Sequence, residues 1–345
     1  MARKRERQEE PQVVRRNLEV RFEGLVGQAA ALRFLRKALQ KGVLPQVLLF
    51  SGPRGVGKAT AAMMTAAGLL CEKGNQGPCG ECLPCRKVSR GIHPDVREVG
   101  LELVEGSGKA RTQIVVEQVR TQVLQPLALP PYEGRRLVFL IDPAEALNAN
   151  AQNALLRSLE EPPSYAQFFL IASNLSSLLP TVRSRCHEVV FSSLDPGEMR
   201  AFCERAGLEG IEEPALAAAG GSPGQLLALQ GGEGAARREV VLRLLSEGLN
   251  LSSYPSLHPI LETLAKENPR EVVSMAVGLV RDAARIASGG EPLRHRDVAA
   301  HLRAAVAARG AAGLDELAER LAQAPAQLAH NVNPRLLLDR LFLVP

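Results

Sequence analysis

Val47-Leu48-Leu49-Phe50-Ser51-Gly52-Pro53-Arg54-Gly55-Val56-Gly57-Lys58-Ala59-Thr60 decides the fold of this chain. An apolar run, a glycine-rich turn and the Ala/Met/Leu segment Ala59 to Leu70 read as buried strand, phosphate-binding loop and helix. In the pattern G-x-x-x-x-G-K-[ST] the glycines let backbone N–H groups wrap phosphate oxygens. The lysine reaches the terminal phosphates, and the hydroxyl ligates Mg²⁺. Gly52, Gly55, Gly57 and Lys58 are in place, but Ala59 stands at the hydroxyl position. Thr60 follows about 100° further round a helix, so its hydroxyl is expected to point elsewhere. The loop is built to hold a nucleotide, ATP or ADP, and poorly built to hydrolyse it.

Further apolar runs are Leu137 to Ile141, ending at Asp142; Phe168 to Ala172, ending at Ser173 and Asn174; and Glu188 to Phe191. Short apolar strands alternating with longer helical stretches indicate a parallel α/β sheet, with ligands at the carboxyl ends of its strands. After Phe191 only short helical pieces appear, broken by Gly207, Gly210, Gly220, Gly221, Pro223 and Gly224. Gly231-Gly232 and Gly234 read as a hinge or linker. From Arg237 the chain is rich in Ala, Leu and Arg at helical spacing. The expected organisation is a basic arm at 1–20, a P-loop α/β domain at 21–192, a small helical domain at 193–235 and an all-helical domain at 236–345.

The 345 residues carry a net charge of +5 with both signs mixed, a weak pointer to nucleic acid. Absence of Trp and few aromatics disfavour single-strand binding by base stacking. The first twenty residues are charged and no apolar run is long enough to span a bilayer. A cytosolic chain is therefore expected, and six cysteines there suggest metal or free thiols.

Asp142 ends a hydrophobic strand, where a P-loop ATPase places its Mg²⁺-binding aspartate, but Pro143 stands where the water-activating glutamate usually follows. Asp142 as N-cap, Pro143 at N1 and Glu145 at N3 also make a helix-start signature, the favoured reading. Glu145 would then belong to the first turn, away from a γ-phosphate. Leu147, Ala151, Ala154, Leu155 and Leu159 mark one face of a helix stopping at Pro162-Pro163.

Cys71, Cys79, Cys82 and Cys85 fall within fifteen residues, with turn formers at Gly77, Pro78, Gly80 and Pro84. Four thiolates suit a closed, structural Zn²⁺ shell, ahead of an iron–sulfur cluster or unconnected thiols. Thr181 to Cys186 reads T-V-R-S-R-C. An exposed arginine there could pair with a carboxylate, or reach a neighbouring subunit's γ-phosphate.

Together these residues resemble the AAA+ subunits of the bacterial DNA polymerase III clamp loader, and within them the delta prime branch. The resemblance runs from about Phe22 to the C-terminus. It rests on Gly27-Gln28, the P-loop, the cysteine module, Gly91 to Asp95, Ile114 to Arg120, Asn153 to Pro163, Ser184-Arg185-Cys186 and the ending N-V-N-P-R-L-L-L-D-R-L. It implies an AAA+ domain with an inserted zinc module at 71–85, a helical lid and a C-terminal collar. It also implies Arg185 as a trans-acting finger. Implied partners are the gamma/tau motor subunit and delta in a five-membered arc, the sliding clamp and primer–template DNA within a cytoplasmic, nucleoid-associated replisome. DNA contacts would be to phosphate. Ala59, Pro143 and Gly224, the last where a motor subunit carries its sensor-2 arginine, depart from the motor pattern, so a stator is expected. A hydrolysing gamma/tau-type motor is the nearest rival. An adenylate-kinase-like phosphotransferase with a zinc lid and a free-standing zinc DNA-binding protein fit less well.

Overall fold

β1 (Val47–Ser51) is buried along its whole length near one side of a five-stranded parallel sheet. The sheet order is β2 (Val96–Val99), β3 (Leu137–Ile141), β4 (Ala166–Ala172), β1, β5 (His187–Val190). The computed structural model describes residues 21–74, 77–102, 111–208, 211, 213–230, 232–247, 254–267, 269–292, 295–329 and 332–343. The basic arm expected at 1–20 lies outside them.

β1, β3 and β4 are buried at every position, which is why they read as unbroken apolar runs. β2 was not foreseen. It is an edge strand in which only Val99 is fully buried, so Val-Arg-Glu-Val carries little apolar signal. β5 begins at His187, and Phe191 beyond it is buried and donates its N–H to Ser51 O at 2.7 Å.

α1 (Ala29–Lys41), α2 (Lys58–Leu70) and α3 (Leu83–Ser89) cover one face of the sheet, with Leu35, Phe50, Met64 and Phe169 in the core between. On the other face lie α4 (Val116–Val119), a π turn (Arg120–Leu124), α5 (Gln125–Leu127), α6 (Ala149–Glu160) and α7 (Pro180–Arg183). Val119, Val123, Leu155 and the stacked pair Phe139–Phe168, 5.2 Å between centroids, form that core.

The helix after β3 does not start as the sequence suggested. Asp142 is no N-cap: Pro143 is extended, Ala144–Ala146 make one 3-10 turn, and α6 is capped by Asn148, whose side chain accepts from Ala151 N at 2.8 Å. The cause is remote in sequence. Ile114 N bonds Ala146 O at 2.8 Å and Asn148 N bonds Ile114 O at 3.1 Å, and this bridge holds Leu147 extended.

Beyond the sheet, α8 (Pro196–Arg205), α9 (Glu213–Ala219) and α10 (Pro223–Gln230) close a small core of Leu194, Met199, Cys203, Ala219 and Leu226. Cys203 packs there as a small core residue. α11 (Gly232–Glu247), α12 (Tyr254–Glu267), α13 (Pro269–Ala287), α14 (Ala299–Ala329) and α15 (Pro334–Phe342) build a second helical core around Leu245, Leu261, Leu279, Leu314 and Leu338. The hinge read at 231–234 is corrected: Gly232 and Gly234 belong to the first turn of α11, and Gly231 lies outside the described residues. Glycine is tolerated in a first turn that the Ala/Arg/Val/Leu run behind it sustains.

α14 kinks at Gly310 (φ 66°, ψ 174°), and the preceding Arg309 turns into the core. Its Nε donates to Leu245 O at 2.8 Å, and Nη2 to Leu244 O at 3.2 Å and Phe342 O at 2.9 Å, supplying donors near the C-terminal ends of α11 and α15. Burial lowers its pKa to about 10, with the nearby Arg320 charge acting in the same direction. Arg309→Met is expected to cost about 2–4 kcal/mol by orphaning these carbonyls. Urea denaturation measures it, and a loss within about 0.5 kcal/mol would show that the arginine is dispensable.

Candidate functional site

The loop between β1 and α2 is gripped from several sides. Gly52 has φ 135°, and a Cβ there would lie 2.1 Å from Phe191 O. Gln28 donates Nε2 to Ser192 O at 2.6 Å and Val56 O at 3.4 Å, and accepts from Ser192 N at 3.1 Å. Gln28 of the G-Q motif thereby ties the loop to the end of the sheet. At the start of α10, Ser222 Oγ, just ahead of the helix, donates to Arg54 O and Gly224 N to Gly55 O, both at 2.9 Å. A Cβ on Gly224 would stand 2.9 Å from Gly55 Cα. The position expected to lack an arginine therefore holds a glycine packed on the loop itself, with no room for a side chain.

Lys58 is only 5% exposed. Its ammonium donates to Gly52 O at 2.6 Å, Pro53 O at 2.7 Å and Ser173 Oγ at 3.0 Å, joining the ends of β1 and β4. Burial holds its pKa below the ordinary lysine range, against the opposing pull of the Glu145 and Asp142 carboxylates. Ser173 N in turn donates to Glu145 Oε1 at 3.2 Å, and Glu145 Oε2 is buried without a hydrogen-bond partner. Glu145 thus faces the lysine, contrary to the expectation that it stays in a helical first turn. The 3-10 turn after Pro143 rotates it toward the end of β4.

A cleft of about 1230 Å³ opens here, lined by Gly55, Gly57, Lys58, Ala59, Thr60, Asp142, Glu145 and Ser173. Thr60 stands on the cleft wall beside Ala59, so the one-residue shift does not remove it from the site. Gly52 lies behind the wall and contributes its carbonyl to Lys58. Arg54, Arg111, Arg237 and Arg281 line other parts of the cleft.

Arg185 is elsewhere, in the turn between α7 and β5 and outside the lining of this chain's cleft. Its Nη1 donates to Thr181 O at 2.9 Å and its Nη2 meets Glu160 Oε1 at 3.0 Å. Neighbouring Cys186 donates Sγ to Val182 O at 3.1 Å, and burial raises its pKa to about 12, marking a packing thiol.

Cys71, Cys79, Cys82 and Cys85 come together with their sulfurs all within 4.8 Å of one another, a group that could hold a metal ion. Cys82 Sγ and Cys71 Sγ are 3.9 Å apart, close to the ~3.8 Å edge of a tetrahedron with 2.3 Å metal–sulfur bonds. The N–H groups of Glu81 and Cys82 both point at Cys79 Sγ from 3.4 Å. Burial opposes ionisation of Cys79, but these amides and the neighbouring Cys82 and Cys71 thiols outweigh it and lower its pKa to about 6. The donor set fits a thiophilic ion.

Residues 27–195 match the sequence profile of the family described as DNA polymerase III, delta subunit. The tau subunit of Salmonella typhimurium DNA polymerase III is 37% identical over 180 residues, 52% of this chain and 26% of that protein. The delta' subunit of Pseudomonas aeruginosa is 39% identical over 180 residues, 51% of this chain and 52% of that protein. Over residues 27–195 the chain is similar to subunits of the DNA polymerase III clamp loader. It spans about a quarter to a half of the length of these relatives. Among solved structures, a gamma subunit-related protein of Thermotoga maritima superposes with a TM-score of 0.44 at 16% identity, over 90% of this chain and 96% of that one. Tau and delta' match about equally, so the likeness does not choose between a motor and a stator.

The loop residues and Asp142 line one cleft, and the four cysteines lie together as a separate group. Ser173 had a signal in sequence, a polar residue at a strand's carboxyl end, whereas the contact of Gly224 with Gly55 had none. Elemental analysis is expected to find about one transition-metal ion per chain, and Cys82→Ser to lower that content and the melting temperature. Metal content unchanged by the substitution would count against the cluster. Gly224→Arg is expected to destabilise the chain by about 1–3 kcal/mol through overpacking against Gly55, read as a lowered urea midpoint. An unchanged midpoint would mean that the contact yields.

Proposed function

We propose that this chain is the delta prime-type stator of the DNA polymerase III clamp loader, holding nucleotide without firing it and completing a neighbour's site with Arg185. The observation that carries the reading is the pairing of a cleft depleted of hydrolytic parts with an arginine presented outside that cleft. Ala59 offers no hydroxyl for Mg²⁺, Pro143 offers no carboxylate, and Gly224 is packed against Gly55. Arg185 sits in a surface turn, tethered by Thr181 O and Glu160, where another subunit can reach it.

On this reading the α/β layer at 21–192 is the AAA+ domain, α8 to α10 are its lid, and α11 to α15 are the collar that joins the arc. A gamma/tau motor subunit flanks the Arg185 side and delta the other. ATP bound by the motor meets the Arg185 guanidinium, which stabilises the negative charge growing on the transferred phosphoryl oxygens. ATP binding around the arc permits clamp opening on primer–template DNA, and hydrolysis releases the loaded clamp. The four cysteines hold a structural Zn²⁺, since a filled four-thiolate shell keeps no open position for substrate. The setting is the cytoplasmic replisome.

A motor-subunit reading has one observation in its favour, the placement of Thr60 and Glu145 on the wall of the cleft. Steady-state hydrolysis separates the two. The isolated chain is expected to turn over ATP far more slowly than a motor subunit, and comparable turnover would sink the stator reading. In a reconstituted loader, Arg185→Ala is expected to lower hydrolysis at the adjoining site by roughly 10³-fold or more and to slow clamp loading, with assembly intact by gel filtration. Normal loading by that variant would remove the finger assignment.

A further inference from the structure

We propose that Glu145 is an internal counter-ion of Lys58 and makes this chain's own site select nucleoside diphosphate over nucleoside triphosphate. The inference rests on the nucleotide-holding reading of the loop and adds the ligand class.

Three groups form a chain at the end of β4. Lys58 Nζ donates to Ser173 Oγ at 3.0 Å, and Ser173 N donates to Glu145 Oε1 at 3.2 Å. The second carboxylate oxygen, Oε2, is buried and makes no hydrogen bond. All three residues line the same cleft. Of the charges acting on the lysine, that of Glu145 is the largest, followed by Asp142 in the same sense and Arg54 in the opposite one.

The lysine of such a loop serves the terminal phosphates, while backbone N–H groups of the loop cradle those nearer the sugar. A γ-phosphate drawn to Lys58 Nζ comes beside Ser173, and so beside the Glu145 carboxylate. The γ-phosphate and the Glu145 carboxylate then crowd the end of β4 in a partly desolvated cleft, where like charges repel far more than in water. Arg111, Arg237 and Arg281 line other parts of the cleft, and Arg54 is the loop's own second cation. A hydrolysing site relieves such crowding with Mg²⁺ held through the Ser/Thr hydroxyl. Ala59 cannot hold the ion that way. A diphosphate keeps the N–H contacts of the loop and leaves Lys58 to Glu145. The glutamate thereby plays the part of a resident terminal anion. Because it stands two residues beyond Pro143 and its Oε1 is engaged by Ser173 N, it is placed as a partner of the lysine.

Isothermal titration of the purified full-length chain with ADP and with ATP, each with Mg²⁺ and with EDTA, tests this. The wild-type chain is expected to bind ADP about tenfold more tightly than ATP, as one added like-charge contact at this depth implies. Glu145→Gln, which keeps the shape and removes the charge, is expected to raise ATP affinity about tenfold and to move ADP affinity less than about threefold. Glu145→Ala should collapse the ratio in the same direction, so that either folded variant decides the matter. An unchanged ratio, or weakened ATP binding as for a glutamate serving the γ-phosphate, would overturn the inference while leaving the nucleotide site standing. Failure of either nucleotide to bind the wild-type chain and the variants would overturn both.

Discussion

An ammonium buried at the junction of two strands sets the terms for the whole site. At 5% exposure Lys58 cannot rely on water, so its protons must find oxygen within the fold. They find Gly52 O and Pro53 O at the end of β1, and Ser173 Oγ at the end of β4. Those acceptors fix the loop's path, which brings its glycines against Phe191 on one side and the start of α10 on the other. The small helical layer is thereby seated on the sheet through the loop. A substitution that alters the loop's backbone must disturb both layers together.

Much of this was legible because the decisive residues lie next to one another in sequence. β1, β3 and β4 are buried on both faces, and such strands cannot help but read as apolar runs. The cysteines announced their cluster by spacing. What escaped depended on partners far away in the chain. Asn148 rather than Asp142 caps α6 because Ile114 bridges to Leu147, more than thirty residues on. Glu145 looked like a first-turn residue, and only that break turns it toward Ser173. β2 is half polar because it is an edge, a property of sheet order that no local window contains. Gly224 read as a missing arginine, when its absent side chain is what lets α10 meet Gly55.

α6 joins two places that bear on function. Its first residues follow the turn that presents Glu145, and its last, Glu160, touches Arg185. Between them Gln152, 3% exposed, donates to Leu147 O at 2.9 Å and Ser177 O at 3.1 Å, and accepts from Leu179 N at 2.7 Å. The backbone leading into α7 is thus fastened to the helix by buried hydrogen bonds, which are costly to leave unmade.

The side chain at the far end is held differently. The Arg185–Glu160 pair is partly open to solvent, with side chains 30% and 58% exposed, and such pairs contribute about 0–1 kcal/mol. The Nε of Arg185 is buried without an acceptor, so even the formed pair leaves a donor unused. A guanidinium that must act on another subunit's phosphate needs an accurate backbone frame and a weak resting partner. Phosphate offers several charge-assisted bonds, roughly twice as strong as neutral ones, against the one exposed ion pair with Glu160 and the neutral carbonyl of Thr181. On the proposed reading, a firm backbone and two modest tethers would suit Arg185 to swing from its own chain to a neighbour's nucleotide.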